Sequence, residues 1–471
     1  MSLAKMSPAL LAKRVAPFAI AIGIWLSPVP AGLTAPAWHL FAVFVAAIAC
    51  VLLNAFPLLT AAMIAAATVV LTGTITPAQA FSGFANSSVL LVVVAFVVAQ
   101  AVVKSGLGRR ISLLMVSRFG GSPLGLAYSI VLTDAVIAPA FPSNTARGGV
   151  LFPIVLSVAK GTGSEPDDPA GRRLGGYLMF CGMASLALSS ALWLTATSCN
   201  PIGVQIAQKA GVEISFMTWL AASSVPTLTA IVMLPVLVAR IFPPGVGATP
   251  DAPPAARRDL ASMGAMSRDE WLTAIIFVFM VGGWVFGSAL NLNGTAVAFL
   301  GFGALLLTGV LTLDDMSKQG DTLTTFLWLA VLFALSAQLN ELGFMGYVGG
   351  RLSARLEGLS WPVLYVTLIA LYVGLHYFFV SQTSQMLALL AVFLDVGIRG
   401  GVPAPLMAPG LLFASSYFSV ITPQGGSQNI IFVASGYLKQ GELYKLGLIT
   451  TIAFMAVYLL IGTPWIMLVM G

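Results

Sequence analysis

Charge and titratable side chains are what this sequence has least of. Only 8% of residues are charged, against the quarter or so typical of soluble domains, and 58% are hydrophobic, with a mean hydropathy of +0.97. A soluble fold cannot hide that much apolar surface. The two histidines, His39 and His376, are too few for most metal sites, and Cys50, Cys181 and Cys199 are too few and too dispersed for a disulfide framework or a thiolate cluster. Neither HExxH, GxSxG, a P-loop, nor GxGxxG in a strand–helix context is present, and Asp134 has no neighbouring acid for a dyad. Hydrolytic, nucleotide-dependent and metal-dependent enzymes are therefore poorly supported, and no cofactor is implied. The net charge of +6 comes from bases scattered over short loops, not gathered into a stripe interleaved with aromatics, which argues against nucleic acid.

What is present is a series of apolar runs of roughly 18 to 25 residues, recurring from Val15 to Val469, each long enough to cross a hydrocarbon core about 30 Å thick. The runs are continuous, not alternating, which excludes a barrel, and a backbone in lipid must satisfy itself as helices. The fold class is all-α polytopic: about 11 transmembrane helices plus shorter apolar pieces. Lys5, Lys13 and Arg14 precede the first run, which reads as a spanning helix with its N-terminus cytoplasmic in an inner (plasma) membrane.

The seam at 242–270 carries five prolines with Arg257, Arg258 and Arg268, and reads as a polar cytoplasmic linker between halves 1–241 and 271–471. Four features recur in the same order in both halves. Gly106 lies 37 residues before Ser143, and Gly343 lies 38 before Ser381. Pro123 lies 20 residues before the first serine, and Pro362 lies 19 before the second. Ser143-Asn144-Thr145 then answers to Ser381-Gln382-Thr383, and Ser198-Cys199-Asn200 to Ser427-Gln428-Asn429. One loop holds Lys104, Arg109, Arg110 and Arg118 with no acid, whereas its twin offsets Arg351 and Arg355 with Glu341 and Glu357, the asymmetry expected of inverted repeats.

Polar clusters inside apolar sequence need a reason, because unsatisfied polar groups are costly at membrane depth. A helix interrupted there presents free N–H groups and a partial positive charge, which suit an anion's oxygens, while exposed carbonyls suit a cation. A single Ser/Thr cluster can instead bond back to its own helix. Two clusters at matching positions point to a ligand with two negative ends. Arg147 and His376 lie beside them: the arginine either offsets substrate charge or replaces a bound cation, or else snorkels to a headgroup or caps a carbonyl, and the histidine is either packed or protonatable.

The segments FSGFANSSVLLVVVAF (Phe81 to Phe96), KSGLGRRI (Lys104 to Ile111), IAPAFPSNTARGGVLFPI (Ile137 to Ile154) and HYFFVSQTSQMLALLAVFL (His376 to Leu394) resemble the divalent anion:sodium symporter family over essentially the whole chain. The SNTAR form is most similar to the branch of citrate/succinate antiporters and plastid 2-oxoglutarate/malate translocators. The resemblance implies a homodimer with scaffold and transport domains, two re-entrant hairpins, an elevator movement, and di- or tricarboxylate substrates. It implies contacts from Ser143, Asn144, Thr145, Thr197, Ser381, Gln382, Thr383, Thr422 and Pro423, with Na+ near Ser143, Asn144 and Gln382 in sodium-coupled members. Arg147 and His376 would compensate charge. This sequence departs at Gln382, where sodium-coupled members carry Asn, and at the stretch TPQGGSQN. Sodium-coupled symport, divalent anions such as sulfate or tartrate, an anion channel and a membrane enzyme are the competing readings.

Overall fold

The computed structural model describes residues 8–53, 55–168, 171–318, 320–356, 358–379 and 381–471. Lys5 and Glu357 lie outside them. The described residues form helices and turns without strands, and seven helices are long and apolar enough to cross a membrane. Four shorter apolar helices accompany them. Large apolar side chains stand exposed along these helices, Leu307 at 92% and Leu71 at 85%, which is the surface a polytopic membrane protein gives to lipid.

Element lengths repeat between the halves. Ala35–Leu52 and Arg268–Val285 each have 18 residues, and Leu58–Leu71 and Gly294–Leu307 each have 14. Pro123–Ile137 and Trp361–Leu375 each have 15, and Asn144–Gly161 and Gln382–Arg399 each have 18. The one-residue mismatch in proline spacing has a local cause: Pro123 is the first residue of its helix, while Pro362 is the second of its twin, after Trp361. Gly106 and Gly343 occupy the same left-handed turn, at φ +82° and +81°, where a side chain would be strained.

The halves interlock. Leu58–Leu71 packs on Gly320–Glu341 and Gly294–Leu307 on Ser87–Ser105, while Asn144–Gly161 packs on Ser427–Val433 and Gln382–Arg399 on Cys199–Lys209. At the centre lies Arg172–Leu192, buried at every position from Leu174 onward; a helix apolar all round is covered all round by protein.

The seam is more structured than a polar linker. Its helix Ala252–Met263 packs on Leu107–Phe119. Arg110 fixes the arrangement, donating to Glu270 at 2.6 and 3.0 Å and to the carbonyls of Gly264 and Ala265 at 3.0 and 3.3 Å. Glu270 also closes a capping box with Ser267 at the start of the next helix. Nearby, Lys104 donates to Asp315 at 2.6 Å and, with Thr312, holds that carboxyl down at about 2. Arg110 and Lys104 of the first half's loop are thus answered by acids from the seam and the second half.

Candidate functional site

Both polar clusters sit where a helix is broken and restarted. A 3-10 turn, Ala138–Ala140 or His376–Phe378, ends the incoming helix. Three residues later, Ser143 and Ser381 take extended backbone, φ/ψ −141°/118° and −149°/123°, and cap the outgoing helix. Ser143 Oγ accepts from the Ala146 N–H at 3.2 Å, and Ser381 Oγ from the Ser384 N–H at 3.3 Å. The second pair of breaks matches as closely. Asn200 donates to the carbonyls of Ser190 and Trp193 at 2.7 and 3.1 Å, and Asn429 to those of Ser419 and Thr422 at 2.8 and 3.0 Å. Each asparagine thereby satisfies carbonyls that the broken helix leaves free.

All four breaks meet at one cavity of about 550 Å³. Ser143–Ala146, Thr197–Cys199, Ser381–Thr383 and Gly426–Gln428 line it from the breaks. The break residues also bond across the halves. Asn144 Nδ2 donates to Gln382 Oε1 at 3.2 Å, Cys199 Sγ lies 3.0 Å from Thr383 Oγ1, and the hydroxyls of Thr145 and Ser427 are hydrogen-bonded. Every residue lining the cavity is neutral. Its positive polarity comes from helix N-termini, including those of the 18-residue helices starting at Asn144 and Gln382 and the 11-residue helix starting at Cys199. Such a site can bind an anion through hydroxyl, amide and backbone donors without a fixed cation.

Seven of the nine substrate contacts implied by resemblance, Ser143, Asn144, Thr145, Thr197, Ser381, Gln382 and Thr383, line this cavity. Thr422 and Pro423 do not. The clamp bonds show why: Thr422 answers to Trp193, so the residue matching Thr197 in the second half is Gly426. Phe96 and Gln100 from one helix and Thr322, Thr325 and Trp328 from another complete the wall, and sequence reasoning missed them. They carry no motif, and helical sequence far from the breaks gave no signal beyond isolated polar residues in apolar runs.

Arg147 and His376 are turned away from the cavity as well. Arg147 Nε lies 2.9 Å from Asp134 Oδ1, with both side chains wholly buried. Its Nη2 donates to Asn144 Oδ1 at 2.9 Å, Ser190 Oγ at 2.8 Å and the Leu186 carbonyl at 2.7 Å. Its charge is therefore balanced inside the protein, not held for a substrate, and it is no headgroup anchor either. What Arg147 does is hold Asn144, whose Oδ1 also accepts from Ser190 Oγ at 2.6 Å. The matching position in the second half is Gln385, which donates to the Tyr372 carbonyl at 2.7 Å. Gln385 Oε1 lies 2.6 Å from His376 Nδ1, whose Nε2 lies 2.7 Å from the Gly425 carbonyl, and the ring stacks on Phe418. His376 is a packed side chain with an oxygen at hydrogen-bond distance from each ring nitrogen.

Among the described residues no cluster of three or more His, Cys, Asp or Glu stands in a metal-binding arrangement. Gln382 Nε2 donates to the Ser415 and Ser416 carbonyls at 2.9 and 3.3 Å, so an amide already bonds these carbonyl oxygens, the atom type that a cation would need.

Comparison with known proteins agrees with this geometry. The family model for the sodium:sulfate symporter transmembrane region matches residues 8–471. YflS of Bacillus subtilis (strain 168), named for malate transport, is 36% identical over 449 residues, covering 95% of this chain and 94% of that protein. Chloroplastic dicarboxylate transporter 2 of Spinacia oleracea is 34% identical, covering 95% and 80%. The citrate/succinate antiporter of Escherichia coli (strain K12) is 33% identical, covering 96% and 97%. The crystal structure of the YdaH transporter of Alcanivorax borkumensis shares the fold with a TM-score of 0.60 at 14% identity, covering 85% of this chain and 88% of that one.

Proposed function

The chain belongs to the sodium:sulfate symporter transmembrane family, a family of transporters and not enzymes, and from that premise we propose that it carries C4 to C6 di- and tricarboxylates across a bacterial inner membrane by exchange. The observation that carries this reading is the neutral, donor-lined cavity where breaks from both halves face one another, which fits a ligand with carboxylates at two ends. Similarity to proteins named for dicarboxylate, malate and citrate/succinate transport supports the substrate class.

Exchange is supported by two features. The amide of Gln382 already bonds the carbonyls of Ser415 and Ser416, and the positive charge of Arg147 is consumed by Asp134. Exchange needs no driving cation, and the hydroxyls and amides that pair with one another across the cavity are neutral donors that a bound carboxylate can recruit.

A second observation supports alternating access. The groove between Ser87–Ser105 and Asn144–Gly161, lined by Gln100, Val103, Gly149 and Pro153, encloses about 620 Å³. The matching groove between Gly320–Glu341 and Gln382–Arg399, lined at the same register by Ala337, Asn340, Leu387 and Ala391, encloses about 20 Å³. Ser336 Oγ donates to the Leu387 carbonyl across it at 2.9 Å. Equivalent grooves in unequal states are what two repeats exchanging conformations would produce. The open groove lies beside Arg109, placing it on the cytoplasmic side in this reading. The homodimer and elevator movement belong to the same proposal.

In proteoliposomes, labelled succinate is expected to enter vesicles preloaded with unlabelled dicarboxylate and not empty ones, with the same rate when choline replaces sodium. Sodium-driven entry into empty vesicles would make the protein a symporter. Gln382→Asn withdraws the amide from the two carbonyls and is expected to make exchange respond to sodium; an unresponsive variant would show that those carbonyls form no cation site.

A further inference from the structure

We propose that Arg109 receives the incoming dianion before it reaches the breaks, and that Asp259 keeps the arginine available; this rests on the dicarboxylate reading above. The 620 Å³ groove and the binding cavity share Gln100 and Ala146, so the two spaces adjoin at the first break. The groove is mostly apolar, and only Arg109 and Asp259 among the residues lining it are charged. Arg109 Nη2 lies 3.9 Å from Asp259 Oδ2, with side chains 61% and 51% exposed. A pair that long and that wet is weak, so a carboxylate can displace Asp259 at little cost.

Two adjacent arginines have thus divided their work. Arg110 is spent on Glu270 and two carbonyls and cannot turn to a ligand, whereas Arg109 is held by one exposed acid at the limit of ion-pair distance. The twin groove has no arginine at the matching position: Gly346 stands there in the register set by Gly106 and Gly343, and the Arg399 guanidinium beside it is held by Asp395 at 2.8 Å. The base lining that groove, Lys209, comes from a different element and pairs with Glu341 at 3.3 Å. Capture by Arg109 is therefore confined to one face of the membrane. An exchanger built this way has unequal apparent affinities for the same substrate on its two sides.

The experiment is succinate exchange by the full-length protein in vesicles of defined orientation, measured from each face at low and high salt. For Arg109→Gln the half-saturating concentration on the Arg109 face is expected to rise about three- to tenfold at low ionic strength, with maximal rate unchanged. The difference should vanish near 1 M salt, where the screening length is about 3 Å. Asp259→Asn should lower half-saturation on that face, and Arg109→Lys should largely restore it. A change equal on both faces, a loss of maximal rate, a shift that survives high salt, or no shift would each overturn the capture role. Wild-type protein unable to exchange succinate would instead overturn the dicarboxylate reading itself.

Discussion

Loss of either partner of the Asp134–Arg147 pair is expected to destabilise the protein by about 3–5 kcal/mol, because the charge left behind is wholly buried. Asp134 accepts from Ser189 at 2.6 Å and faces Arg147 at 2.9 Å, while Arg147 also bonds Asn144, Ser190 and Leu186. Asp134→Ala strands a guanidinium among apolar helices, and Arg147→Met strands a carboxylate. The double variant Asp134→Leu with Arg147→Met removes both charges and is expected to regain most of the stability, since a buried pair is often worth no more than well-packed apolar residues. It should not regain transport, because Asn144 Oδ1 loses the arginine that positions it. Thermal unfolding of the detergent-purified variants, beside succinate exchange, checks both halves of the expectation. Single variants as stable as the wild type would mean that the pair is not buried as described.

The second large effect concerns the cavity hydroxyls. Thr145→Val and Thr383→Val keep shape and remove one hydroxyl each, and each is expected to weaken succinate binding about 10- to 150-fold, the worth of roughly 1.5–3 kcal/mol for a hydrogen bond to a charged group. Together they should leave no measurable exchange. Folding should change little, since the hydroxyls bond only across the cavity, to Ser427 and to Cys199. Size-exclusion profiles should match the wild type. Asn144→Ala is a poorer probe of binding, because Asn144 also accepts from Arg147 and Ser190 and its loss unsettles a buried network. Normal exchange by the double threonine variant would exclude the breaks as the substrate site.

Much of this arrangement is legible in the sequence because membrane depth makes polar residues conspicuous. Ser143-Asn144-Thr145 and Ser381-Gln382-Thr383 stand out against apolar flanks, and glycine, proline and serine spacings reveal the repeat even though the two prolines differ by one position within their helices. Long-range pairings are not legible in the same way. Asp134 and Arg147 belong to different helices on either side of a break, so no helical periodicity joins them, and Arg147 reads from sequence as a free cation. Thr422 resembles Thr197 in its polar setting, yet the helix restarts after Gly426, and only the backbone clamps of Asn200 and Asn429 set the register. The seam reads as a linker from its prolines, while its docking depends on Arg110, which lies more than a hundred residues away.

The most direct test of the central claim, that one dianion bridges the two broken helices, is an experimental structure with succinate bound. The account predicts one ligand in the cavity between Ser143–Thr145 and Ser381–Thr383, with a carboxylate at each break and no charged side chain within bonding distance. A ligand held by a charged side chain, or one confined to a single break, would contradict it.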